Sequence, residues 1–431
     1  MYYYSLNGNA GKVDFRQAAI SGQAPDKGLY FPEQIPKLPA GFISSLRQIS
    51  PDEIALTVIS PYVGDTISKH ELADIVHETI DFDFPLVQIS DSVFALELFH
   101  GPTLAFKDVG ARFMSRCISH FVNDFSSPIT VLVATSGDTG GAVASGFYGV
   151  EGVNVVILYP SGKVSDVQER QLTGLGKNIT ALEILGTFDD CQRMVKTAFA
   201  DEDIAKKRFL TSANSINVAR WLPQQFYYFF AARVWTLSRF FPVFCVPSGN
   251  FGNICAGILA HKSGLPAAHF IAACNANSVV PDFLRTGIYS PRKALTTVSN
   301  AMDVGDPSNF IRVLELFHRN FNSLKEILSS ESISEADTLS TIKTVFETTG
   351  YVLDPHGAVG YRALGNWLRK NPGHAGIFLE TAHPVKFFDV VEPLIGKKIS
   401  RPPSIEELML SKKQGLVINP DFGQLKDFLL S

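Results

Sequence analysis

The sequence predicts an α/β protein with largely parallel sheets covered by helices on both faces, and three features carry that expectation. Short, nearly continuous apolar runs of strand length recur along the chain. Each is followed by a turn rich in Gly, Ser, Asn or Pro, and most turns lead into apolar residues at helical spacing. Buried strands that alternate with helices in this way form parallel sheets. At 431 residues the chain exceeds what one core serves, so two or three domains are expected.

In chain order, residues 1–91 read as a separate unit. Short helical patterns there are split by GQAPDKGLYFPEQIPKLPAG, and DFDFPLVQI leads out. From Ser92 the alternation begins. SVFALELF is a strand, after which Phe106, Val109, Phe113, Cys117, Ile118 and Phe121 recur at helical spacing. ITVLVAT follows, then the turn SGDTGG and the small-residue helix AVASGFYG. VNVVILYP, NITALEIL, PVFCVPS, FIAACNA and GIFLETA repeat the theme. The expected units are an N-terminal domain over 1–91, an α/β domain over 92–215, a second over 216–395, and a C-terminal tail over 396–431 packed on the core.

Composition narrows the function. An apolar fraction of 45% and a charged fraction of 19% belong to a globular chain, not a disordered one. A formal net charge of −4 offers no broad attraction to nucleic acid or an anionic membrane, so any bound anion must be held by local groups. The start, MYYYSLNGNAGKVDF, lacks the basic and apolar regions of a secretory leader. Runs such as FPVFCVPSG fall short of the ~20 apolar residues of a membrane span. Cys117, Cys191, Cys245, Cys255 and Cys274 are odd in number and form no C-x-x-C pair, which predicts reduced core thiols in a cytoplasmic protein. No histidine pair has metal-ligand spacing, and no metal is expected.

In parallel sheets, chemistry sits in the loops that leave the carboxyl ends of strands. Three such loops are unusual. In LELFHGPTLAFKDVGARF, Lys107 follows a Gly-Pro turn and opens a helix among Leu104, Ala105, Phe106 and Val109. An ordinary lysine is a solvated surface charge. One that starts in apolar surroundings at a helix N-terminus has its ammonium form disfavoured, and a neutral amine is what Schiff-base chemistry requires.

In PVFCVPSGNFGNICAGILA, Ser248, Gly249, Asn250, Phe251, Gly252 and Asn253 fill a strand-to-helix loop that suits a phosphate. The plainer reading is a tight turn. The loop is neither a Walker A sequence nor a dinucleotide fingerprint. In VLVATSGDTGGAVASG, Thr135, Ser136, Gly137, Asp138, Thr139 and Gly140 meet another helix start, either as a carboxylate or phosphate site or as a capping turn. It lacks the G-x-S-x-G spacing of a hydrolase elbow.

Together these segments resemble the threonine synthase family, within the tryptophan-synthase-like (fold type II) enzymes that use pyridoxal 5'-phosphate (PLP). ELFHGPTLAFKD is similar to the family's cofactor-lysine segment, ATSGDTG to its substrate-carboxylate loop, PSGNFGN to its phosphate cradle and ETAHPVKF to the strand end at the pyridine nitrogen. YSLNG, GLYFP, LYPSGKVSDVQERQL, SANSINVAR, SNAMDVGDPSN and DPHGAVGYRAL fit its long-chain subgroup.

The resemblance implies two open α/β domains with the PLP site in the cleft between them, a small N-terminal domain, and a monomer more readily than a dimer. It also implies an enzyme that converts O-phospho-L-homoserine and water into L-threonine and phosphate. Lys107 would bind PLP and move protons, with Asp138 near the ring oxygen, 248–253 around the phosphate and Thr381 at the ring nitrogen. Thr135, Ser136, Gly137 and Thr139 would take the substrate carboxylate. Arg112, Lys163 and Arg220, with Asn214, Ser215 and Asn217 as neutral donors, would supply the local grip that an acidic protein needs for a phosphorylated substrate. His356 and His383 are open between acid–base and structural roles. Two alternatives stay open: another fold type II activity, such as a dehydratase or a β-replacing synthase, and a non-catalytic PLP-binding relative.

Overall fold

The computed structural model describes residues 1–122, 128–237 and 240–431. The N-terminal part carries a small antiparallel sheet of β1 (Tyr2–Ser5), β2 (Val13–Asp14) and β3 (Tyr30–Pro32), in the order β2-β1-β3. The strands that follow are β4 (Leu86–Gln88), β5 (Val93–Glu97), β6 (Ile129–Ala134), β7 (Val153–Pro160), β8 (Ile179–Ile184) and β9 (Phe209–Ser212). The rest are β10 (Val243–Pro247), β11 (His269–Cys274), β12 (Leu328–Ser332), β13 (Gly376–Glu380) and β14 (Leu416–Ile418).

One five-stranded sheet runs β14-β8-β7-β6-β9 and is parallel throughout. A six-stranded sheet runs β12-β11-β10-β13-β5-β4, parallel except for β4 at its edge. The apolar runs explain the central positions. Every residue of β6, β10 and β13 is buried, as two-sided helical cover demands. The expected strands at SVFALELF, ITVLVAT, VNVVILYP, NITALEIL, PVFCVPS, FIAACNA and GIFLETA are all present.

The expected unit over 92–215 does not hold together as one sheet. β5 pairs with β13, far along the chain, through Val93↔Gly376 to Glu97↔Glu380, and not with β6. Between β5 and β6 the chain crosses from one sheet to the other through the helix Lys107–Val122. In the tail, β14 extends the five-stranded sheet beside β8, and the helix Phe422–Leu430 packs Leu425 and Leu429 against it.

The N-terminal part shares one continuous core with both sheets. Phe15 meets Phe113 and Phe121 edge-on, and the Tyr3 hydroxyl donates to the Tyr62 carbonyl at 2.7 Å. The helix that begins with Lys107 is thereby held rigidly from behind. All five cysteines are free and buried. No helix among the described residues is long and apolar enough to cross a membrane.

The strand order sets the site. β10, β13 and β5 are adjacent and parallel, so the loops leaving their carboxyl ends lie side by side, and β10 and β5 are about 10 Å apart at ordinary strand spacing. Those loops carry residues 248–253, Thr381 and Lys107. The loop after β6, with Ser136 to Thr139, closes on them from the other sheet.

Candidate active site

Lys107 is positioned by backbone on three sides. Leu104 adopts φ +56°, a left-handed turn unusual for a branched side chain, just before the helix starts. Ala105 forms an antiparallel bridge with Ala382, in which the Phe106 N–H donates to the Thr381 carbonyl at 2.9 Å and the His383 N–H to the Leu104 carbonyl at 3.0 Å. The Tyr227 hydroxyl donates to the Phe106 carbonyl. Below the turn, the buried Asp108 carboxylate accepts from the Thr103 N–H at 2.9 Å and the Thr103 hydroxyl at 2.6 Å. The Lys107 side chain is only 16% exposed.

Its amine faces Asp138, with Nζ 3.5 Å from Oδ2. Asp138 is already occupied on its other oxygen. Lys386 Nζ sits 2.7 Å from Oδ1, and the Gln168 side-chain amide donates to the same oxygen at 3.0 Å. Lys386 is fully buried and also donates to the Thr103 carbonyl at 2.9 Å. Burial lowers the proton affinity of Lys107; Asp138 opposes that shift, while the charges of Lys386 and Arg220 reinforce it. Burial alone would raise Asp138, but the Lys386 and Lys107 ammoniums outweigh it and hold the carboxyl far below its usual range.

The turn after β10 is built as an anion cradle. Phe251 takes φ +61° ahead of the helix Gly252–Ser263. The N–H groups of Gly249, Asn250, Phe251, Gly252 and Asn253 donate to no atom among the described residues. The Asn253 side-chain oxygen accepts from the Tyr228 hydroxyl at 2.8 Å, which fixes the amide, yet its buried Nδ2 has no partner. A row of unspent donors at a helix N-terminus matches a phosphate in charge and geometry. The outer wall of the turn is the segment 299–309. Asn309 N–H donates to the Asn250 carbonyl at 3.1 Å, and the Ser308 hydroxyl to the Asn250 side chain at 3.1 Å. A Cβ on Gly249 would lie 2.9 Å from both the Ala301 carbonyl oxygen and Met302 Cα, so the wall requires glycine there. Ser248 is spent on the Val246 carbonyl at 2.8 Å.

The turn after β6 divides its labour. The Thr135 hydroxyl accepts from the N–H groups of Gly137 at 3.0 Å and Gly140 at 2.9 Å, so it shapes the loop instead of meeting a ligand. Ser136 and Thr139 are half-buried, and their hydroxyls bond to no described residue. Gly137 has φ +137°, and a Cβ there would meet the Gln168 side chain at 2.4 Å.

The expected cations separate. Arg220 is buried; its Nη1 donates to the Ala213 carbonyl and its Nε lacks a partner, and burial lowers its pKa to about 10. It lies against Gly110 on the helix of Lys107, 3.2 Å from where a Cβ there would be. Lys163 is exposed in the turn after β7 and pairs with no carboxylate among the described residues. Arg112 is not brought to the cleft. It points to the N-terminal side, donating to the Glu78 carbonyl and to Asp81 at 2.6 Å, with its guanidinium over Phe82. Arg112→Met is therefore expected to change KM for the substrate by less than about threefold, the worth of a half-exposed ion pair, in a steady-state assay.

The neutral donors also separate. Asn217 caps the helix Val218–Trp221 and spends its amide on the Ala19 and Ser212 carbonyls at 2.7 and 3.1 Å, which makes it structural. Asn214 donates to the Ala134 carbonyl at 3.1 Å, at the root of the turn after β6. Ser215 accepts from Asn309 at 2.9 Å and lies against Gly252, at the foot of the cradle. Both histidine rings are engaged within the protein. The ring nitrogens of His356 are used by Asp354 at 2.5 Å and the Ala301 N–H at 3.2 Å, and burial lowers His383 to about 4, leaving it neutral.

Sequence reasoning missed Lys386, Gln168 and Tyr228. Lys386 had a signal, since it stands between Val385 and Phe387 in HPVKFF, where a solvated lysine is out of place.

The residues present fit PLP: unspent N–H groups and Asn253 Nδ2 for its phosphate, the Lys107 amine for its aldehyde, and a Thr381 hydroxyl without a described partner at the intervening strand end. Among the described residues no cluster of His, Cys, Asp or Glu is arranged to hold a metal ion.

Comparison with known proteins agrees with that geometry. Residues 84–376 match the pyridoxal-phosphate-dependent enzyme family model, residues 2–80 the threonine synthase N terminus, and residues 357–429 the threonine synthase C-terminal model. A threonine synthase from Escherichia coli (strain K12) is 44% identical over 432 residues, covering all of both chains. The crystal structure of threonine synthase from Escherichia coli superposes with a TM-score of 0.94 at 42% identity, covering 100% of this chain and 99% of that one. A PLP-bound threonine synthase from Brucella melitensis superposes with a TM-score of 0.91 at 35% identity, covering 100% and 99%. The chain belongs to the threonine synthase family of pyridoxal-phosphate-dependent enzymes.

Proposed function

We propose that this chain converts O-phospho-L-homoserine and water into L-threonine and phosphate, with PLP held between Lys107 and the turn 248–253. The observation that carries the reading is the pairing of a largely buried amine with five unspent N–H donors on loops that leave the parallel strands either side of β13. PLP, when bound, supplies the electron sink that makes protons on a substrate amino acid acidic.

This chain's residues do the rest. Lys107 Nζ would hold the cofactor through its aldehyde and, once free, would carry a proton from and to the substrate carbons. Ser136, Thr139 and the backbone of Gly137 present donors for the substrate carboxylate at a helix start. Arg220 and Lys163 are the cations left for the substrate phosphate, one buried, the other exposed in the turn after β7. The Thr381 hydroxyl would face the ring nitrogen without forcing a charge on it, unlike a carboxylate there. Asp138 lies beside Lys107 to meet the ring oxygen. The reading extends to a cytoplasmic setting, supported by five buried free cysteines.

The rival within the fold is a dehydratase acting on serine or threonine, which needs no grip on a phosphate. Purified protein with PLP should release phosphate and threonine in equal amounts from O-phosphohomoserine. Ammonia from serine or threonine at a comparable rate, without phosphate release, would reverse the assignment.

A further inference from the structure

Two lysines share one buried carboxylate in this site, and only one of them has a task in the reaction as read above. Lys386 is the more deeply buried, with a fully enclosed side chain against 16% exposure for Lys107. It is also the closer to Asp138, at 2.7 Å against 3.5 Å. Its second bond, to the Thr103 carbonyl, is shared with Gln171, whose amide donates there at 3.0 Å. That carbonyl belongs to the turn leading into Lys107, so the clamp ties three pieces of backbone together: the turn before Lys107, the helix start at Asp138 and the 3-10 turn Pro384–Phe387.

We propose that Lys386 is a positioning residue for the reaction: fixed between the Thr103 carbonyl and Asp138, it holds the Asp138 carboxylate off Lys107 and leaves that amine free to condense with an aldehyde. The inference rests on reading Lys107 as the cofactor lysine. Condensation joins Nζ to the aldehyde carbon and releases the carbonyl oxygen as one water, and it begins from the nitrogen lone pair, so a proton held on Nζ blocks it. Without Lys386, the buried Asp138 carboxylate would keep Lys107, already 3.5 Å away, as its nearest cation, and that loose pair would tighten.

The groups that act on this pair come from every neighbouring element. Asp138, Lys386 and Arg220 act on Lys107, His356 acts on Asp138, and Asp108 lies within reach of Lys386. Lys386 and Arg220 push the Lys107 proton off, and Asp138 holds it on. Removing Lys386 and removing Asp138 must therefore move Lys107 in opposite directions. A residue that merely filled space would not produce that pattern.

The test uses full-length protein freed of cofactor, mixed with PLP and cyanoborohydride across a range of pH. Intact mass and peptide mapping read the fraction labelled at Lys107. In wild type the labelling rises through a midpoint set by the free amine. Lys386→Met is expected to raise that midpoint by about one pH unit or more, giving about tenfold less labelling at pH values below it. Lys386→Arg, which keeps the charge, should restore it; Asp138→Asn should lower it; and the double variant K386M/D138N should return towards wild type.

A Lys386→Met protein that labels Lys107 with the wild-type midpoint overturns the proposal. Should that variant fail to fold, an unmoved midpoint in Asp138→Asn overturns it equally. A wild-type chain that labels at other lysines but not at Lys107 overturns the reading of the cofactor site, and the proposal falls with it.

Discussion

Lys107→Ala is expected to lower turnover of O-phosphohomoserine by about 10³-fold or more, the range lost when a positioned proton carrier is removed. No neighbouring group replaces it. Lys386 is committed to Asp138 and the Thr103 carbonyl, and His356 and His383 are both spent on structural bonds. The variant should still fold, since the helix that Lys107 opens is anchored by Phe113, Cys117, Ile118 and Phe121 and not by the amine. Circular dichroism should be unchanged. PLP should still bind through the turn 248–253, more weakly and without a covalent link. Steady-state release of phosphate is the readout, and activity within tenfold of wild type would remove Lys107 from the chemistry.

Gly137→Ala should cost about 100-fold in kcat/KM, the penalty of a displacement of about 1 Å at a substrate-positioning turn. Two causes add. Gly137 sits at φ +137°, where a side chain is strained, and the new methyl would meet Gln168 at 2.4 Å. Gln168 cannot yield freely, because its amide holds Asp138 and its oxygen accepts from the Ser165 N–H at 3.0 Å. The turn itself must shift, carrying Ser136 and Thr139 away from the substrate carboxylate. KM should rise with the loss in kcat/KM. An unchanged KM would mean that this turn does not hold the substrate.

The sequence made the strands legible where local chemistry was enough. β6, β7, β10 and β13 are nearly continuous apolar runs because both faces are largely covered, and that signal is visible without a partner strand. Partner choice was not legible. β5 precedes β6 in the chain and was expected in the same unit, yet it pairs with β13 across almost three hundred residues. Nothing in VFALE encodes that register. β12 and β14 give no such signal, β12 because the polar residues of LSSES break the apolar run and β14 because LVI is only three residues long.

The site divides along the same line. Lys107, the turn 248–253 and the turn 136–139 announce themselves through glycines and hydroxyls at strand ends, which are local features. Whether a polar side chain meets the ligand or the protein is decided by long-range contacts. Asn217 reads as a donor but caps a helix, Thr135 reads as a ligand but shapes its own loop, and Arg112 reads as a cation for the substrate but faces Asp81. Lys386 is the converse. Its apolar neighbours mark it as out of place in solvent, but only the fold shows that its fully enclosed amine meets Asp138.

The account turns on one geometric claim: an aldehyde on the Lys107 amine and its phosphate on the N–H groups of residues 249–253. The direct measurement is an electron-density map of crystals grown with PLP. The account predicts density continuous with Lys107 Nζ at one end, the phosphate within hydrogen-bond distance of the 249–253 amides and Asn253 Nδ2 at the other, and the Thr381 hydroxyl at the ring nitrogen. A cofactor joined to Lys386, or a phosphate seated anywhere but that turn, would contradict it.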